Sequence, residues 1–227
     1  MNRRWVLSAV ILIAVGTLGA TVWLRDPAHD AGVEQTAMAI EAIGCGAVPT
    51  RGAGIAIGGQ DVLTVAHVVA GADDVLVVDH RGHSRPATIT AIDTVADLAL
   101  LSVAGLSGPE VRFGELAPDR RGVLVDVGDD PPTTATYVVT DALLIHITDI
   151  YDKIESTRQG YRVSASIEPG DSGAALFDAD GRVGGMVFSR SRRSTEAAYA
   201  TAADELEAFL DAVEGGRPAP AVPCRLR

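Results

Sequence analysis

Three short segments of the sequence combine residue types able to carry nucleophilic chemistry. Gly170-Asp171-Ser172-Gly173 sets a hydroxyl between glycines, where the backbone can turn tightly and a substrate can approach. A serine hydroxyl is a weak nucleophile until a neighbouring base takes its proton. The N–H groups of Gly170 and Ser172 could converge on one point and bind an oxyanion. Glycine, aspartate and serine are also the commonest turn residues, so the segment alone describes a polar turn equally well. Leu63-Thr64-Val65-Ala66-His67 ends an apolar strand on a histidine. A neutral imidazole there could take a proton near pH 7. Four other histidines (His29, His80, His83 and His146) show how weak one histidine is as a signal, and His80 and His83 flank Gly82 in what reads as a solvated turn. Ala96-Asp97-Leu98-Ala99-Leu100-Leu101 puts a carboxylate at the start of an apolar strand. It could orient the imidazole, or simply cap the strand.

Order decides between these readings. His67, Asp97 and Ser172 follow one another 30 and then 75 residues apart. The sequence His, Asp, Ser is that of the chymotrypsin class, whereas other triad folds use other orders. In this reading Ser172 attacks a carbonyl, His67 takes its proton and Asp97 holds the imidazole tautomer. Gly170 and Ser172 supply the oxyanion hole, and Asp93 is the nearest alternative carboxylate. Such chemistry calls for no cofactor and no metal.

The elements that must position these residues read as short strands. Gly54 to Gly58, Val62 to Val65, Val75 to Asp79, Ala87 to Ile92 and Leu98 to Val103 form a first series rich in Val, Ile and Leu. A second series runs Val123 to Val127, Thr134 to Val139, Leu143 to Thr148, Arg162 to Ser166, Ala174 to Phe177, Val183 to Ser189 and Ala197 to Ala200. Turn residues separate them, which predicts an all-β sandwich or barrel rather than a parallel α/β sheet. Leu106 to Arg121 reads as the connection between two β halves. Ala37 to Ile43 fits a helix end or a first strand. Thr201-Ala-Ala-Asp204 has the pattern of a capping box, and Leu206, Phe209, Leu210 and Val213 recur at helical spacing behind it. Gly215-Gly216 stops that helix, and Pro218, Pro220 and Pro223 mark a proline-rich tail carrying Cys224.

Trp5 to Leu24 is twenty residues without a charge, behind Arg3 and Arg4. As a helix it would span about 30 Å, the thickness of the hydrocarbon core, with the N-terminus cytoplasmic by the positive-inside rule. Cleavage after Ala14-Val15-Gly16 is the competing reading, but it would leave Thr17 to Leu24 as an apolar end, so an uncleaved anchor is expected. Everything beyond is then extracytoplasmic. Cys45 and Cys224, the two cysteines, are expected to pair in that oxidising compartment. The bridge would close a loop of about 180 residues, worth about 5 kcal/mol in the chain-entropy account. Across its 227 residues the chain is 47% hydrophobic and 22% charged, a globular composition, with aromatics at only 4%, so the core must be aliphatic. The net charge of −11 argues against a nucleic-acid partner. Lys153 is the sole lysine, which points to codon bias rather than chemistry.

On Leu63 to His67, Asp97 to Leu101 and Gly170 to Gly173, the chain resembles the trypsin-like, chymotrypsin-fold serine peptidases, over about Gly44 to Leu210. Within them it looks similar to the membrane-anchored periplasmic proteases of actinobacteria of the acid-resistance type. The stretch Ala66-His67-Val68-Val69-Ala70-Gly71, Asp178-Ala-Asp-Gly181-Arg-Val, Gly185-Met-Val-Phe188 and the two flanking cysteines carry that likeness. The resemblance implies two chymotrypsin-like β-barrels with the site in the cleft between them, and peptide hydrolysis through an acyl-enzyme. With the charge-free run, the polar stretch behind it and the prolines at the end, the chain divides into a cytoplasmic N-terminus and anchor (1–25), a linker (26–40), a protease domain (41–212) and the tail (214–227). Within the domain lie barrel 1 (about 41–115), barrel 2 (about 120–200) and a closing helix (202–213).

By family position Ser166 should lie at the base of the primary specificity pocket and Arg190 at its rim. The basic cluster Arg190, Arg192 and Arg193 reads more simply as a solvated loop. Departures from the family pattern are Ala174-Ala175 in place of Gly-Pro, the acidic stretch Val125 to Pro132, and a single span where the acid-resistance proteases have several. No Arg precedes an Ile-Val-Gly-Gly type terminus before Cys45, so activation by that trimming is not expected. Three functions follow: an extracytoplasmic serine endopeptidase acting on protein or peptide substrates, a catalytically silent sensing or binding module on the same scaffold, or a protease gated by the redox state of Cys45 and Cys224.

Overall fold

The structure, a computed structural model, describes residues 32–46, 48–128, 132–191, 194, 196–214 and 222–225. The expected anchor, Trp5 to Leu24, lies outside these residues, as do Arg192 and Arg193. Among the described residues no helix is long and apolar enough to cross a membrane.

Twelve strands close into two six-stranded antiparallel barrels, as the resemblance implied. The first contains β1 (Ala37–Ile43), β2 (Thr50–Gly58), β3 (Asp61–Thr64), β4 (Asp74–Val78), β5 (Ser84–Asp93) and β6 (Leu98–Val103), in the spatial order β1-β2-β3-β6-β5-β4. The second contains β7 (Arg121–Asp126), β8 (Thr133–Thr148), β9 (Glu155–Ser164), β10 (Ala175–Phe177), β11 (Val183–Arg190) and β12 (Ala197–Ala202), in the order β10-β11-β12-β9-β8-β7. Closure leaves no free sheet edge, which removes the hazard of unpaired backbone donors. The core is aliphatic, as the scarcity of aromatics required. Ile40, Ile55, Leu63, Leu98, Leu101, Leu124, Leu176 and Val163 are buried, and Tyr137 and Phe177 are the most deeply buried of the few aromatics. The buried Tyr137 hydroxyl donates to the carbonyl of Phe177 at 3.1 Å, so its polar end is satisfied.

Four sequence expectations need correcting. The segment expected to be linker up to residue 40 includes the start of β1, which pairs with β2 and β4 and buries Met38, Ile40 and Ala42. Its alanine content gives weak strand propensity, and only the alternation of buried positions marks it. Thr134 to Val139 and Leu143 to Thr148 are one sixteen-residue strand, β8. A bulge opposite β9 between Val139 and Asp141 absorbs the polar pair that had looked like a turn. β9 begins at Glu155, seven residues before its expected start. The capping box does not form. Thr201 remains in β12, and its hydroxyl accepts a hydrogen bond from Arg158 at 3.3 Å.

The closing helix, α2 (Ala203–Glu214), lays Leu206 and Phe209 against the second barrel. Two such buried side chains contribute about 2–3 kcal/mol each. The connection across 106–121 runs along the second barrel, where the Gly114 N–H donates to the carbonyl of Val183 and the Val183 N–H donates to the carbonyl of Arg112. Cys45 and Cys224 form the expected disulfide across 179 residues. The tail is further tied by the Tyr151 hydroxyl, which donates to the carbonyl of Pro223 at 2.7 Å.

Candidate active site

His67 lies on α1 (Ala66–Val69), a single helical turn directly after β3. Ala66, Val68 and Val69 are buried and pin the turn, so only the histidine is left toward the cleft. Asp97 occupies the turn between β5 and β6, is 6% exposed, and has φ 54. Left-handed backbone at a non-glycine residue costs of order 1 kcal/mol and persists where surrounding contacts over-determine it. Those contacts are visible here. Asp97 Oδ1 accepts the backbone N–H of His67 at 2.8 Å, and Oδ2 lies 2.8 Å from His67 Nδ1. Both carboxylate oxygens therefore grip one residue, which fixes the ring orientation and leaves Nε2 as the nitrogen able to take a proton. Asp93, the alternative carboxylate, is occupied elsewhere: its Oδ1 accepts the N–H groups of Val95 and Ala96, each at 2.8 Å, and shapes the turn that presents Asp97.

Ser172 comes from the second barrel, in the loop before β10. Its carbonyl accepts the N–H of Ala53 on β2 at 2.7 Å, a hydrogen bond that joins the barrels. Two glycines make this approach possible. A Cβ at Gly52 would meet both Val68, the neighbour of His67, and the Ser172 carbonyl, and a Cβ at Gly173, where φ is 96, would land on the Ala53 carbonyl oxygen. Thr64, fully buried, donates its hydroxyl to that same Ala53 oxygen at 2.6 Å. The histidine turn and the serine loop are thus drawn together over β2. Among the described residues the Ser172 hydroxyl makes no hydrogen bond, and a serine and its base often close up only in the substrate complex. Behind it Ala174 and Ala175, the departure from Gly-Pro, are both buried in the second barrel.

Asp171 is 3% exposed and accepts the N–H of Glu168 on Oδ2 at 2.7 Å. Burial pushes its carboxyl up to about 6, against that hydrogen bond and with the charges of Asp126 and Glu168 adding to the rise. A cavity of about 730 Å³ opens beside it, bounded by Glu41, Arg51, Asp126, Glu168, Gly170 and Asp171 among others. Gly170, with φ 121, stands at the wall of this cavity. Ser166 and Arg190 are both exposed, one just past β9 and the other at the end of β11. They flank the same end of β12, where Ala197 pairs with Ser164 and Ala198 with Arg190.

Arg158 was missed by the sequence reading. It is 5% exposed on β9, and its guanidinium lies 4.6 Å over the ring of Phe188. Its Nη1 donates to the carbonyl of Ala96, next to Asp97. Nothing local in a polar run such as Glu155 to Gly160 signals a buried cation.

The sequence matches the trypsin-like peptidase domain over residues 52–186, a stretch containing His67, Asp97 and Ser172. The chain belongs to the trypsin-like peptidase family. Serine protease Rv3671c of Mycobacterium tuberculosis is 33% identical over 175 residues, which cover 74% of this chain and 43% of that protein. A probable periplasmic serine endoprotease, DegP-like, of Halomonas elongata is 31% identical over 138 residues, covering 57% of this chain and 28% of that protein. The chain therefore spans less than half the length of these curated relatives. The solved structure of the Rv3671c protease from M. tuberculosis in its active form matches with a TM-score of 0.81 at 28% identity, over 88% of this chain and 90% of that one.

Proposed function

We propose that this chain is an extracytoplasmic serine endopeptidase, held at the membrane by residues 5–24, that cleaves protein or peptide substrates through Ser172, His67 and Asp97. The observation that carries the reading is the double grip of Asp97 on His67, through Nδ1 and the backbone N–H. In the proposed cycle Ser172 Oγ attacks the scissile carbonyl while His67 Nε2 takes its proton. Asp97 stabilises the imidazolium without itself being protonated. The N–H groups of Gly170 and Ser172 receive the oxyanion, each contributing about 3–4 kcal/mol by comparison with measured oxyanion holes. His67 returns the proton to the leaving amine, and water then releases the acyl group by the same steps. Ser166 and Arg190 line the primary substrate pocket, a role supported by their position on either side of β12. The periplasmic relative and the disulfide support an oxidising, extracytoplasmic location.

A fluorophosphonate probe tests the reading. Folded, oxidised protein should label, and Ser172→Ala should abolish labelling; unlabelled wild type would point to the catalytically silent module instead. One observation favours a redox-gated variant of the same enzyme. The sulfurs of Cys45 and Cys224 lie 3.3 Å and 3.4 Å from the carbonyl oxygens of Ala70 and Gly71, directly after the helical turn that carries His67. Labelling that requires oxidation, and is lost on reduction of the folded protein, would select that reading.

A further inference from the structure

Arg158 has no part in the cycle above, yet it is buried where a charge is expensive. A guanidinium taken out of water is ordinarily matched by a carboxylate held in its fork. Among the described residues no carboxylate lies within ion-pair distance of Arg158, and its buried Nε and Nη2 find no acceptor. An arginine placed for stability alone would be better satisfied than this. What it does touch is specific. Nη1 donates to the carbonyl of Ala96, the peptide that leads into the left-handed Asp97, and to Thr201 Oγ1. One residue of the second barrel thus reaches across to the turn of the first barrel that presents the carboxylate. Ile150, from the β8–β9 turn, does the same by donating its N–H to the Thr94 carbonyl at 3.1 Å.

We propose that Arg158 is a positioning residue for Asp97, clamping the preceding carbonyl from the opposite barrel and setting the field in which the His67–Asp97 pair works. The proposal rests on the assignment of that pair to catalysis. Desolvation disfavours the guanidinium cation, and three carboxylates facing it oppose that effect: Asp97 first, then Glu205 on α2 and Asp93 at the end of β5. The cation in turn offsets part of the negative charge of Asp97, whose carboxylate holds His67 Nδ1. The clamp and the field are separable, because lysine keeps the charge but lacks the planar fork.

The test compares Arg158→Gln and Arg158→Lys in the folded, oxidised protein. Arg158→Gln should lower kcat about 10- to 100-fold with KM little changed, as misplacement of a catalytic group does. It should also move the acid limb of kcat/KM upward by about half a pH unit or more, since a cation beside the pair has been removed. The midpoint of the His67 imidazole titration, followed by NMR against wild type, should move the same way. Arg158→Lys should keep the limb in place while recovering only part of kcat. An unmoved limb and an unmoved NMR midpoint in Arg158→Gln would overturn the proposal and leave Arg158 a packing residue. Should that variant fail to fold, Arg158→Lys decides alone: wild-type kcat in it overturns the clamp. The NMR midpoint needs no turnover, so failure of the proposed activity, read by the probe, is distinguishable from failure of this proposal.

Discussion

Two aspartates are buried on opposite sides of the cleft, and their surroundings differ in kind. Asp97, in the first barrel, receives a backbone N–H and an imidazole nitrogen, each at 2.8 Å, and faces a buried arginine. Asp171, in the second barrel, receives one backbone N–H and faces two further carboxylates, Asp126 and Glu168. Equal burial therefore does not mean equal surroundings: donors and a countercharge surround one carboxylate, while the other, desolvated beside like charges, is pushed up to about 6. The difference separates two uses of the same residue type. One aspartate meets two donors from a single histidine. The other lies between Gly170 and Ser172, where burial and two like charges raise its carboxyl.

The sharpest way to break this comparison is Asp97→Asn. The fold should survive, because the amide oxygen can still accept the His67 N–H, while kcat should fall by about 10⁴ as the imidazole loses its tautomer. Steady-state kinetics beside a circular dichroism melt measure both. A near-wild-type rate would hand the role to Asp93, against its present engagement with Val95 and Ala96.

Asp171→Asn should instead act on stability, and raise it. The folded carboxyl is raised from 3.8 to about 6, so between those values the native state binds more protons than the unfolded chain. Stability from this group is fully present below 3.8 and is lost as pH rises through about 6. A neutral asparagine escapes that loss, so the variant should gain up to about 3 kcal/mol above pH 7 and nothing near pH 3.5. Denaturant melts at the two pH values decide it; a gain of equal size at both would assign the effect to packing.

The smallest effect belongs to Asp126→Asn. It removes one of the two neighbouring charges, while the new amide oxygen can keep the Gly128 N–H now held at 2.7 Å. The pH window of instability should narrow at its upper end, with a gain below about 1 kcal/mol at pH 7. An unchanged pH profile of stability would show that the Asp126 charge has no share in raising Asp171, leaving burial and Glu168.

Much of this site could be read from the sequence because its signals are local. His67 follows a strand, Asp97 precedes one, and Ser172 sits in a four-residue motif; chain order then linked them. The disulfide was legible by elimination, with two cysteines and no third. What escaped depends on contacts far apart in sequence. Arg158 is 62 residues from the carbonyl it clamps, and a polar strand gives no hint of which polar residue turns inward. Asp141 looked like a break because a bulge and a turn use the same residues. Thr201 looked like a helix cap because a capping motif says nothing of the arginine that claims its hydroxyl. The ionisation of Asp171 was equally out of reach, since Asp126 joins it only through folding.

The Ala53–Ser172 hydrogen bond has a consequence for observing the molecule at work. Its amide proton spans the seam beside the active-site loops, and the glycines at positions 52 and 173 leave no slack around it. Any breathing that parts the barrels must expose that proton to solvent. Its hydrogen–deuterium exchange rate is therefore a one-residue gauge of how often the cleft comes apart, readable without a substrate and without altering His67, Asp97 or Ser172.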